Sequence, residues 1–168
     1  SVLFGDVFRA FNPWRAIGRA VAAGFSTLVG QKQSAPFTYP ERLGRWPAVI
    51  GLVAFVFLEL VWGQTGFAAA GLTPKTLTIA TLVYSAYTFV AMGLFGVERW
   101  IDRGEAFSQY FGMFASLSIF EVRDGRLGRR PLLAGTTTWA LPAGSLALVL
   151  AAIGSTTFDG ASEGVLKE

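Results

Sequence analysis

Glu59 is the only charged residue between Trp46 and Trp62, in an otherwise apolar run. A carboxylate in a segment of bilayer length is costly. It therefore turns toward a bundle interior or a wet cavity and marks a functional position. Asp159 follows a second apolar run, and the hydroxyls of Ser155 and Thr157 lie just before it. Thr78, Thr81 and Ser85, continued by Thr88, fall on one face of a third. Two carboxylates among hydroxyls could bind a cation, relay protons or hold a water against a substrate. Glu59 and Asp159 are thus the candidate catalytic pair, with Thr78, Thr81, Ser85, Ser155 and Thr157 as candidate lining of a substrate or ion pocket. The plainer alternatives are a protonated Glu59 bonded to a neighbouring helix, a solvated cap at Asp159, and hydroxyls bonded to their own i−4 carbonyls.

A second acidic set is Glu98, Asp102 and Glu105, whose spacing of four and then three puts them on one helix face. Three carboxylates on one face suit a hard divalent ion, the weaker candidate metal site of the chain. Arg99 and Arg103 on the adjacent face favour an exposed charged helix instead. The chain has neither Cys nor His, which excludes disulfides, thiolate chemistry, Ser-His-Asp catalysis and His-ligated metals. The cofactor is left open by this composition, a divalent metal held by carboxylates being one candidate. Walker A, dinucleotide-binding and HExxH patterns are also absent.

The elements that must position these residues are apolar. Only 15% of the residues are charged and 52% are hydrophobic, against roughly a quarter charged in soluble domains. This predicts an all-α membrane protein. Three segments approach the ~20 residues that cross a bilayer, at about 46–67, 77–97 and 139–158. Pro142 suits the first turn of the third. Ala143, Ala147, Ala151 and Ser155 make a strip there that admits a close helix neighbour. Twelve of the 14 Lys and Arg residues lie in 1–45 and 98–131, so these segments are expected in the cytoplasm and the chain in a bacterial cytoplasmic membrane, multi-pass.

Asn12 and Pro13 read as helix cap and first residue. Trp14, Ile17, Val21, Phe25 and Leu28 then share one face of an amphipathic helix, expected to lie on the leaflet with Arg15 and Arg19 near lipid phosphates, the alternative being a short span or a helix packed on the bundle. Residues 107–114 are too polar and short for a span and read as interfacial or re-entrant. Alternation around Asp124-Gly125 predicts a short cytoplasmic β-hairpin. The basic run Arg123–Arg130 lacks interleaved aromatics, so the expected partners are lipid and further helices, or a second copy, and no nucleic acid. The chain reads as one integral-membrane region, an excerpt of a longer polytopic protein.

Four strings carry a resemblance: Phe11-Asn12-Pro13-Trp14-Arg15-Ala16, Tyr39-Pro40-Glu41-Arg42-Leu43-Gly44-Arg45-Trp46-Pro47, Phe95-Gly96-Val97-Glu98 and Gly154-Ser155-Thr156-Thr157-Phe158-Asp159-Gly160. They resemble bacterial, largely actinobacterial, polytopic membrane proteins known as fenitrothion hydrolases. The similarity covers nearly the whole chain. It implies hydrolysis of an organophosphate triester with release of a phenol, and transfers no catalytic residues. Such a reaction needs an activated water and stabilisation of charge on phosphorus and leaving group. Without histidine, a carboxylate base or a carboxylate-bound metal would supply it. Two other classes stand beside this one: a transporter or channel component with Glu59 as proton or cation site, and a non-catalytic membrane subunit.

Overall fold

A computed structural model describes residues 5–30, 35–62, 73–123, 126–131 and 133–163. It is built almost wholly of helices. Two N-terminal ones come first, the short α1 (Val7–Phe11) and the longer α2 (Pro13–Val29). The Asn12 side chain accepts from Arg15 N at 3.0 Å and Pro13 opens α2, as their order in the sequence predicts. Helix α3 (Trp46–Val56) continues without a break into a π-helical stretch, Phe57–Trp62. Helix α4 (Pro74–Phe95) starts on a Thr73 cap and stops at Gly96, whose φ of 87° ends the regular path. The chain then turns back through α5 (Val97–Arg103) and α6 (Ala106–Ser116). Strands β1 (Phe120–Arg123) and β2 (Arg126–Arg129) pair antiparallel, Phe120 opposite Arg129 and Val122 opposite Leu127. The Asp124-Gly125 turn between them lies outside the described residues. Helices α7 (Ala134–Thr138) and α8 (Ser145–Glu163) close the order.

Two helical stretches are long and apolar enough to cross a membrane, Glu41–Trp62 and Pro74–Phe95. The expected third is shorter. Residues 139–144 are not helical, and Pro142 instead closes a turn in which its carbonyl accepts from Ser145 N at 3.1 Å. Gly144, with φ of 82°, leads into α8, whose apolar part covers Ser145–Ala161. At ~1.5 Å per residue, 17 residues reach about 25 Å, short of the ~30 Å hydrocarbon layer.

The packing follows the side chains. Val49 and Leu52 of α3 meet Leu148 and Ala152 of α8, with Ala147 and Ala151 alongside, so the small-residue strip does admit a close neighbour. A second core gathers Tyr39, Ala91, Met92, Trp100 and Ile101 where α5 folds back on α4. Trp14 packs against this core's margin, and a Cβ at Gly18 would stand 2.7 Å from Met92 Sδ, so α2 approaches α4 closely there. Beyond that point Val21, Phe25 and Leu28 are exposed, together with Ile17. The outward faces of α3 and α4 are likewise apolar and exposed, including Ile50, Val53, Leu82, Val83 and Val90. In water such a surface would be unstable, whereas a bilayer or further helices would cover it.

Candidate functional site

The expected acidic face on 98–105 is divided by the fold. Helix α5 ends at Arg103 and Gly104, so Glu105 no longer continues its face and becomes the cap of α6. Glu98 and Asp102 remain exposed and take Arg partners from the N-terminal helices. Arg9 meets Asp102 at 2.5 Å, while Arg15 and Arg19 reach Glu98 at 3.0 and 3.4 Å. The two arginines expected at lipid phosphates are thus engaged by a carboxylate. Among the described residues no three acidic side chains assemble to hold a metal ion.

Glu105 is fully buried and is the centre of a polar network. Its Oε2 accepts from Asn12 Nδ2 at 2.9 Å and from Ser108 N at 2.8 Å. Its Oε1 accepts from Phe107 N at 3.0 Å and from the Tyr84 hydroxyl. Asn12 also donates to Ser108 Oγ at 2.9 Å while its own oxygen caps α2. The caps of two helices are therefore tied to each other and to a tyrosine of a third. Buried polar groups without such partners would cost several kcal/mol; here every oxygen of the carboxylate is supplied.

The level of this network is set by its neighbours. Gly51 is the eleventh of the 22 residues from Glu41 to Trp62, and Tyr84 the eleventh of the 22 in α4. A Cβ on Gly51 would lie 3.7 Å from Tyr84 Cε2 and 3.0 Å from Ala106 Cβ. The midpoints of the two long apolar helices and the first turn of α6 thus meet at one level. A fully buried carboxylate sits at that level.

Beside it opens an apolar cleft of about 480 Å³ between α3 and α4. Ala54, Phe55 and Leu58 form one wall; Leu77, Ala80, Thr81 and Val83 form the other. Trp14, Tyr84 and Phe107 also line it. Trp14 stacks on Phe107 at 5.6 Å and meets Tyr84 edge-on at 5.2 Å, and its indole N–H donates to Ser85 Oγ at 2.9 Å.

The residues singled out from sequence scatter around this centre. Thr81 lines the cleft and Ser85 holds Trp14 at its edge. Thr78 donates to Pro74 O at 2.8 Å and Ser155 to Ala152 O at 2.9 Å, the local bonds that hydroxyls make in helices. Thr157 and Asp159 are exposed on α8, and Glu59 is exposed on the π-helical stretch. Neither Glu59 nor Asp159 lines the cleft. Tyr84 and Ser108 were not legible as site residues; the available signal was Gly104 breaking the helix just before an acidic residue. No family model, curated protein or solved structure matches the chain.

Proposed function

We propose that this chain is the part of a polytopic bacterial inner-membrane protein that takes an apolar, aryl-bearing molecule out of the lipid phase and holds it in the α3–α4 cleft. The observation that carries this reading is the conjunction of the cleft with the buried network. An opening of about 480 Å³, apolar and aromatic-walled, is lined in part by a tyrosine whose hydroxyl is fixed by a buried glutamate. Binding sites are commonly apolar concavities with a few well-placed polar groups, and a buried ionisable residue level with the middle of a span is a functional position by default.

The resemblance to fenitrothion hydrolases supplies the reaction to test. In the hydrolysis of an aryl phosphotriester, water adds to phosphorus, the bond to the aryl oxygen breaks, and the phenolate takes up a proton. Tyr84 borders the cleft, and its hydroxyl, which gives its one proton to Glu105, would hydrogen-bond the departing oxygen by turning that proton into the cleft. Glu105 already accepts four hydrogen bonds, so its role is to position Tyr84. In this account α5 and α6 re-enter beside α4, while the arginine-rich ends of the apolar helices stay on the cytoplasmic side.

The test uses the full-length protein in nanodiscs, following binding and phenol release with fenitrothion. Ala54→Phe should fill the cleft and weaken binding, while Tyr84→Phe should retain binding and lose turnover. Unchanged binding in Ala54→Phe would remove the cleft from the account. Binding without turnover in the presence of any divalent metal would leave a carrier or receptor for such molecules and remove the hydrolase.

One observation favours a second reading. Glu59 is exposed in a π-helical stretch of an apolar helix, and such stretches often occur at functional positions. Facing further helices of a longer protein, it would serve as a proton or cation site in transport. Loss of ion flux in Glu59→Gln, with fenitrothion binding unchanged, would favour that reading.

A further inference from the structure

We propose that a second cleft, beside Arg45, binds an oxyanion of phosphate type. Arg45 was one of the arginines expected to mark the cytoplasmic side, yet its side chain is turned inward and the residue is only 5% exposed. Its Nε donates to Gln109 Oε1 at 2.7 Å, and Nη1 donates to Ala140 O at 2.9 Å and Ser145 Oγ at 2.8 Å. The guanidinium carbon lies 4.0 Å from the centre of the Trp139 ring. These contacts use the Nε proton, both Nη1 protons and one face of the group. The Nη2 donors have no acceptor among the described residues, and Nη2 is not sealed in the interior.

The charge is also uncompensated. Among the described residues no carboxylate stands within ion-pair distance of Arg45. Buried charges are normally paired, because an isolated one costs far more than a neutral polar group. Arg45 lines a cleft of about 270 Å³ together with Arg9, Thr138 and Gly112. Asp6 and Asp102 also line it, but both are engaged by Arg9: Asp6 accepts its backbone N–H at 3.1 Å and Asp102 its guanidinium at 2.5 Å. What remains is the Nη2 amino group of a fixed guanidinium, whose two N–H donors suit a charge-assisted hydrogen bond to a phosphate or carboxylate oxygen. A lipid headgroup and free phosphate present the same chemistry to it.

The experiment uses the full chain with two probes. Inorganic phosphate is titrated calorimetrically in neutral detergent, with chloride at matched ionic strength as control. Phosphatidic acid adducts are counted by native mass spectrometry. Gly112→Glu places a carboxylate in the cleft without touching any bond to Arg45, since nothing lies within 4 Å of a Cβ there. Gly112→Ala is the steric control. The proposal expects at least one probe to bind, equally well in Gly112→Ala and at least about tenfold more weakly in Gly112→Glu. Binding of phosphate identifies the free ion, and binding of phosphatidic acid alone identifies the headgroup. Binding of neither probe, or equal binding in Gly112→Glu, would overturn the proposal.

Discussion

Glu105→Gln tests the network most severely, because the exchange changes almost nothing in size. Each carboxylate oxygen accepts two donors: Asn12 Nδ2 and Ser108 N on one, the Tyr84 hydroxyl and Phe107 N on the other. A glutamine would keep its oxygen toward Asn12 and Ser108 and turn its NH2 toward Tyr84, whose hydroxyl can accept, so that only the Phe107 N–H is left without an acceptor. One hydrogen bond to the buried carboxylate is then lost, at about 1.5–3 kcal/mol. Tyr84→Phe removes another of the carboxylate's bonds and should cost about 1.5–3 kcal/mol. The two substitutions share a contact, so the double variant should be less destabilised than their sum. Reversible unfolding in mixed micelles with increasing dodecyl sulfate measures all three. A Glu105→Gln variant within about 0.5 kcal/mol of the parent, the range of an ordinary surface change, would refute the network as a structural centre. Additive costs in the double variant would separate Tyr84 from it.

Two further outcomes follow from the loop that leads into α3. Gly44 has φ of 46°, and a Cβ there would stand 2.2 Å from Ala143 O. Gly44→Ala should therefore cost at least about 2 kcal/mol in the same unfolding measurement. Tyr39 donates its hydroxyl to Gly44 O at 2.8 Å, and burial, with a smaller contribution from Tyr87, pushes its pKa up to about 12. The unfolded value is near 10, so Tyr39 contributes stability below about pH 10 that is lost as the pH rises to about 12. Tyr39→Phe should flatten that part of the stability profile, and an unchanged alkaline slope would contradict the assignment.

How far the fold was legible depended on whether the signal was local. The Asn12–Pro13 helix start and the two long apolar helices are written in neighbouring residues, and both are present in the structure. The beginning of the third apolar helix was misplaced. Pro142 is compatible with a first turn, but the positive φ at Gly144 puts the start at Ser145. The acidic set was misread for a related reason. Spacing alone joins Glu98, Asp102 and Glu105 on one helix, and only the chain reversal at Gly104 separates an exposed ion-pair cluster from a buried cap. Arg45 shows the limit of counting charges for topology: its burial depends on Gln109, Ser145 and Trp139, all more than sixty positions away. The Tyr84–Glu105 contact is long-range in the same sense and has no pattern in the sequence.

The central claim is that the buried network lies within a bilayer, level with the middle of α3 and α4. The chain has no cysteine, so Val83→Cys introduces a single labelling position beside Tyr84 on the exposed face of α4. A spin label there, in the protein reconstituted into liposomes, reports its depth through collisions with oxygen dissolved in lipid and with a water-soluble nickel chelate. The account predicts strong relaxation by oxygen and almost none by the chelate. The reverse pattern would place α4 in water and contradict the membrane account of both the cleft and the buried glutamate.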